Sequence, residues 1–445
     1  MTRQTPTVVI IIGITGDLAQ RKLLPAIGQL AQADVLPDQF KIVGITRQAD
    51  VDKDSLVPTS GGSARFLREH LELLQLNLAD PTEYQRLVTY LQTIDQQFGT
   101  DAQRLFYLSI PPQVSQSIIE HLGESGLAKA PNTKLLLEKP FGVDLSSAQD
   151  LVSHIQKYFS SEQVYRIDHY LAKEMAQNML VFREENPLFR QTWNNEFIER
   201  ITITASEQIG IEGRANFYDQ TGALRDVVQS HLLQLAALTL AKPAHDNAMK
   251  SVAARRLEAL KQLHLTSGAK QPAAVRGQYK TYAQEVSNPN TTTETFVSVT
   301  LQSDDPAWQG VPITIATGKA LQEKSTEIRV QYKRNGSEEA NELILRLQPN
   351  EGAELQLWTK RPGYEEKVDK RSLTFSYKED ERLPEAYERV FLDAIRSDHR
   401  LFASGEEVLE TWHILDPLQR AWEMSDDSDL ILYDAGADIF ELMPK

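Results

Sequence analysis

A chain of 445 residues exceeds what one ordinary hydrophobic core organises, so two domains are expected. The complete absence of cysteine excludes disulfides, thiolate metal sites and a cysteine nucleophile, and a formal charge of −15, from 47 basic and 62 acidic residues, argues against a nucleic-acid partner. With 41% hydrophobic and 24% charged residues the composition is that of a soluble globular protein. The apolar run Val8 to Ile12 is far short of a membrane span and nothing at the N-terminus has the form of a signal peptide, so a cytoplasmic protein with no membrane partner is expected.

In chain order, Val8 to Ile12 reads as a buried strand, Asp17 to Gln32 as a helix, and "FKIVGITR" (Phe40 to Arg47) as a second strand, which is a βαβ beginning. "RLFYLSIPP" and "KLLLEKP" are further apolar runs ending in prolines, with the helical "QVSQSIIEHLGESG" between them. This alternation persists to about residue 168 and predicts an α/β, Rossmann-like, doubly wound parallel sheet over residues 1–168. From Phe197 onward, "FIERITITASE", "TFVSVTLQ", "VPITIATGKA", "TEIRVQYK", "NELILRLQP" and "AELQLWTKRP" follow one another through short polar links. They predict an α+β domain over residues 169–445 with a large, mainly antiparallel sheet, closed by the helical stretches "PEAYERVFLDAIRS" and "EEVLETWHILDPLQRAWEM".

The turn after the first strand, "GITGDLAQRK", departs from the usual G-x-G-x-x-G. Gly13 is able to take the positive φ of a sharp exit, Gly16 to let backbone approach a ligand, and Ala19 is small where helix must pack on strand. Its free N–H groups would face an anion. The spacing alone is equally compatible with a plain turn in which Asp17 is a helix N-terminal acid. Arg47 ends the second strand where an NAD site usually carries an acid, and a guanidinium there suits a 2′-phosphate, with Lys22 adding charge; NADP is therefore expected, and NAD as a weaker alternative.

Further along, "YRIDHYLAKEMAQNML" predicts a helix capped by Asp168, with His169 and Lys173 four apart on one face beside Ala172 and Ala176, an arrangement suited to an anion or to a solvated face. In "TGALRDVVQSHLLQLAALTLA" the neighbours of His231 one turn away are Val227 and Leu235, so the imidazole is expected on a buried face. Asp226 stands about 140° round an α-helix from His231, poorly placed to orient it, which leaves Asp168 as the candidate carboxylate.

These blocks, with "FYLSIPPQV", "EKPFGVDL" and "VPITIATGKALQEK", occur in the order found in the glucose-6-phosphate dehydrogenase family, and R-I-D-H-Y-L-x-K resembles that family's signature. The resemblance implies His231 as the general base and Asp168 as its partner. It implies His169, Tyr170 and Lys173 as phosphate ligands. Glu207 and Asp226 then become acids that hold sugar hydroxyls, Lys319, Lys324 and Gln348 further substrate contacts, and Lys139 a lysine near both substrate and nicotinamide, preceding a proline in a cis bond. Gly13, Thr15, Gly16, Asp17, Leu18, Lys22, Arg47 and Lys139 are the implied cofactor residues. Ser115 stands where many relatives carry a tyrosine. The implied reaction is oxidation of glucose 6-phosphate by NADP, the first step of the oxidative pentose phosphate pathway, without a metal, by a homodimer or dimer of dimers formed through the large sheet.

Overall fold

The computed structural model describes residues 5–243, 252–266, 273–334, 340–377, 382–425 and 429–444. The chain divides into two compact units, one of Met1–Gly142, Ser146–Ala172 and Pro384–Gly405, the other of Val143–Leu145, Lys173–Leu383 and Glu406–Lys445.

The first unit is built on β1 (Thr7–Ile12), β2 (Phe40–Thr46), β3 (Leu71–Gln75), β4 (Gln103–Leu108), β5 (Thr133–Leu137) and β6 (Val164–Ile167). They lie in the order 3-2-1-4-5-6 and all run parallel, with the short β16 (Phe402–Ala403) antiparallel on the β6 edge. β1 and β5 are buried at every position, which is why they read as unbroken apolar runs rather than alternations: elements cover both faces of a parallel sheet. Ile12 is in register with both Ile45 and Leu108, so β1, β2 and β4 finish together at the edge where the strand order reverses. That is where doubly wound sheets leave a crevice.

A single boundary at residue 168 does not describe this unit, because Pro384–Gly405 returns to it. The helix Ala386–Ile395 buries Val390, Phe391 and Ala394 in the same apolar cluster as Leu105, Tyr107 and Tyr165. Buried Lys134 donates to the carbonyl of Ala394 (2.5 Å) and to Gln103 Oε1 (2.7 Å), and its burial holds the ammonium pKa down at about 8.

The second unit carries a ten-stranded sheet among the described residues: β7 (Ile198–Ser206), β8 (Leu263–Leu265), β9 (Ala274–Tyr279), β10 (Phe296–Ser303), β11 (Ile313–Gly318), β12 (Ser325–Tyr332), β13 (Glu342–Gln348), β14 (Gly352–Lys360), β15 (Val368–Ser376) and β17 (Leu430–Tyr433). Its path is 15-14-13-12-7-11-10-9-17, with β8 also on β10. The pairs are antiparallel except β7 with β11 and β9 with β17. The two helical stretches do not end the chain, since β17 and a short helix, Ile439–Leu442, follow the helix Gly405–Glu423. A helical run through Leu224–Leu232 and Leu233–Leu240 packs on β7 and β11, and its second half is buried at every residue. Among the described residues no helix is long and apolar enough to cross a membrane.

Candidate active site

At the shared end of β1, β2 and β4 lies a cavity of about 400 Å³, lined by Gly13, Thr15 and Gly16 from the first turn, Thr46 to Gln48 from the second, and Ser109 to Pro111 from the third. Gly13 has φ +87°, and a Cβ there would lie 2.3 Å from the Ser109 carbonyl oxygen, so no other residue fits without moving that strand end. Gly16 N–H closes the turn on the Gly13 carbonyl (3.0 Å). Exposed Arg47 lines the cavity.

Three proposed cofactor residues in the same segment do not line this cavity. Asp17 pairs with Arg21 (2.7 Å) on the exposed side of the helix, so its charge is directed at a neighbouring guanidinium. Lys22 reaches Glu385 (3.3 Å), and Leu18 packs against the apolar cluster. Ser115 also stays out of the lining and donates to the Pro112 carbonyl (2.7 Å).

Beyond β5 come Glu138 and Lys139, and the Lys139–Pro140 bond is cis. Glu138 accepts a hydrogen bond from Tyr107; burial pushes its carboxyl up, while the Tyr107 and Tyr387 hydroxyls and the Lys139 charge pull it down. Beyond β6, Asp168 is 3% exposed and its Oδ1 accepts from Tyr170 N–H (2.9 Å). That bond replaces the expected cap. An aspartate that takes the N–H two residues on forms a turn rather than starting a helix, and the helix opens only at Glu174, after Lys173. His169 and Lys173 therefore do not share a helical face; the His169 ring instead lies 5.1 Å from that of Tyr170.

In the second unit, Lys173 precedes a helix whose Met175 N–H is taken by Glu351 Oε2 (2.7 Å). Burial pushes the Glu351 carboxyl up; the Met175 N–H and the Lys173 charge oppose this. Gln348 ends β13, donates to Thr326 Oγ1 (2.8 Å) and precedes a cis proline. Glu207 and Lys319 follow the parallel neighbours β7 and β11, and the Lys319 ammonium donates to the Glu207 carboxylate. The Lys319 ammonium sits 5.0 Å from the centre of the Tyr218 ring, and its carbonyl accepts from Tyr433 Oη (2.8 Å). Lys324 is exposed in the link from β11 to β12.

His231 is 2% exposed, on the buried face anticipated for it. The backbone from Leu224 to Leu232 is π-helical. Its i→i+5 bonds make five residues close to one turn, so Asp226 and His231 stand much nearer one side of the helix than α geometry allows. Sequence reasoning also missed Glu351, Tyr218 and Tyr433, because each acts from a distant segment and carries no local motif.

A 3-2-1-4-5-6 parallel sheet with a glycine turn at its switch point, joined in one chain to a unit bearing a buried histidine and a lysine–carboxylate pair, defines a pyridine-nucleotide oxidoreductase. Residues 10–178 match the family described as glucose-6-phosphate dehydrogenase, NAD binding domain, and residues 180–439 the glucose-6-phosphate dehydrogenase C-terminal domain. The chain belongs to the glucose-6-phosphate dehydrogenase family. It is 36% identical to the glucose-6-phosphate 1-dehydrogenase of Chlamydia muridarum, over 94% of this chain and 90% of that one. A glucose-6-phosphate dehydrogenase solved in complex with glucose 6-phosphate superposes with a TM-score of 0.90 at 29% identity, covering 99% of this chain and 98% of the other. The Mycobacterium avium enzyme gives 0.83 at 29%, covering 98% and 95%.

Proposed function

We propose that this chain oxidises β-D-glucose 6-phosphate at C1 to 6-phospho-D-glucono-1,5-lactone with NADP, opening the oxidative pentose phosphate pathway. The observation that carries the reading is His231, an imidazole 2% exposed on the π-helical segment that also bears Asp226, in a unit where Lys319 and Glu207 are already paired.

In this reading His231 takes the C1 hydroxyl proton and Asp168 stabilises the imidazolium that forms. NADP, when bound, supplies the hydride acceptor. Lys173, His169 and Tyr170 hold the phosphate of the sugar, with Lys324 adding charge. Glu207, Asp226 and Gln348 take sugar hydroxyls, Lys319 holds the Glu207 carboxylate in place for one of them, and Lys139 approaches both reactants. The absent Cβ of Gly13 and the cationic mouth at Arg47 fit a phosphorylated nucleotide, with Gly16 and Thr15 against its diphosphate. Holding both reactants by phosphates remote from the reacting carbon supplies orientation, and no metal is needed.

The first unit binds the nucleotide, and the second carries most of the residues for the sugar phosphate, Lys173, Glu207, Asp226, Lys319, Lys324 and Gln348. The second also forms a cytoplasmic homodimer through its sheet, a role supported by exposed Val368, Leu373 and Phe375 on β15. The test is the absorbance of reduced nicotinamide when the protein meets glucose 6-phosphate with NADP and, separately, with NAD. Faster reduction of NADP is expected, and no reduction of either rejects the proposal. Size-exclusion chromatography tests the dimer.

A further inference from the structure

The helix that carries Asp226 and His231 begins without a cap of its own. Thr221, at its start, turns its hydroxyl back to the Phe217 carbonyl (2.8 Å), and Gly222 and Ala223 have no side chain to offer. Two of the leading N–H groups are satisfied from elsewhere, by one residue. Glu294, just before β10, accepts Ala223 N–H on its carbonyl (3.0 Å) and Leu224 N–H on Oε1 (2.9 Å). It is 7% exposed, and the fit is close: Gly222 has φ +69°, and a Cβ on it would lie 2.3 Å from that same Oε1.

The neighbouring residue makes the arrangement more than a cap. Thr295 accepts Lys319 N–H on its carbonyl (2.9 Å), and its Oγ1 lies 2.8 Å from the Tyr433 hydroxyl that donates to the Lys319 carbonyl. Two consecutive residues thus hold, on one side, the start of the histidine helix and, on the other, the backbone of the lysine that pairs with Glu207. Burying a carboxylate is costly, and a local serine or aspartate would satisfy the same N–H group. What a local residue would not do is tie the helix to Lys319.

We propose that Glu294 is a positioning residue for the reaction, fixing where His231 stands relative to Lys319. The inference rests on the reading of His231 as base and Lys319 as part of the sugar site.

The test is steady-state kinetics of Glu294→Ala, Glu294→Asp and Glu294→Gln with glucose 6-phosphate and NADP, beside melting curves. Removing the acceptor or drawing it back by one methylene displaces the base. Glu294→Ala and Glu294→Asp are therefore expected to lose about 10- to 100-fold in kcat, with the KM for NADP unchanged. Glu294→Gln keeps an acceptor oxygen at the same reach and is expected within about threefold of wild type. If Glu294→Ala does not fold, the contrast between Asp and Gln decides. Wild-type kcat in a folded Glu294→Asp, or an equal loss in Glu294→Gln, overturns the proposal. His231→Asn separates the two levels: if it abolishes turnover while the Glu294 variants stay normal, only the positioning role fails, and if it turns over normally, the assignment of the base fails.

Discussion

Lys319 and Glu207 form an ion pair at the ends of two parallel strands, held there because the preceding residues, Gly318 and Ser206, are in register. The lysine is 2% exposed, whereas the carboxylate side chain is 29% exposed, so the pair presents an oriented acid backed by a buried cation. Lys319→Met should leave Glu207 free to turn toward water. A lost charged hydrogen bond of about 1–3 kcal/mol corresponds to a rise in KM for glucose 6-phosphate of about five- to a hundredfold, with kcat less affected. An unchanged KM would remove Lys319 from the sugar site.

His231→Asn keeps a polar side chain of similar reach but no base. Loss of general-base catalysis should lower kcat by about 10²–10⁴-fold, while glucose 6-phosphate still binds, as equilibrium titration would register. Normal turnover in this variant would contradict the mechanism.

The two sides of the nucleotide cavity should separate by mutation. Arg47→Ala removes a guanidinium partner for a 2′-phosphate, a charged bond of about 1.5–3 kcal/mol, so NADP affinity should fall about 10- to 100-fold and NAD affinity little. Gly13→Ala forces a Cβ against the Ser109 carbonyl and a side chain into positive φ, so both nucleotides should weaken together. Equal losses of NADP and NAD in Arg47→Ala would argue against its assigned role.

A pH effect on stability is expected from Asp393, which is 2% exposed in the first unit. Burial pushes its carboxyl up from 3.8 to about 6 despite the nearby Arg389. A raised acid favours the protonated native state, so its contribution is complete below pH about 4 and is lost as the pH rises through about 6, a change worth about 3 kcal/mol. Asp393→Asn imitates the protonated form. Urea unfolding should show it more stable than wild type above pH about 7 and no more stable near pH about 4; the same difference at both would contradict the account.

Much of the first unit was legible because a parallel sheet buried on both faces leaves a plain signal, the unbroken apolar runs of β1 and β5. Arg47 was legible for a related reason: where a strand ends, the next residue faces the crevice. The π-helical turn between Asp226 and His231 was not, because apolar positions spaced for a buried helix look the same whether the bonds span four residues or five. Asp168 was misread as a cap because aspartate forms turns and caps with the same side-chain oxygen, and the choice depends on where the next N–H groups go. β15 escaped notice because its apolar residues, Val368, Leu373 and Phe375, do not keep one period of two along the strand. Glu294 and Glu351 were invisible for a deeper reason. The N–H groups that they satisfy lie 70 and 176 residues away, and no local spacing records that.

The return of Pro384–Gly405 to the first unit bears on how the protein is made. Although that unit opens the chain, ribosomal synthesis completes it only after the whole large sheet up to β15 has emerged. Until then the Lys134 ammonium lacks the Ala394 carbonyl, and the face that Phe391 covers is open to other chains. A fragment ending at Ala172 is thus a truncated nucleotide-binding unit rather than a separable one, and dissection of this enzyme into independently expressed halves would need residues 384–405 grafted back onto the first.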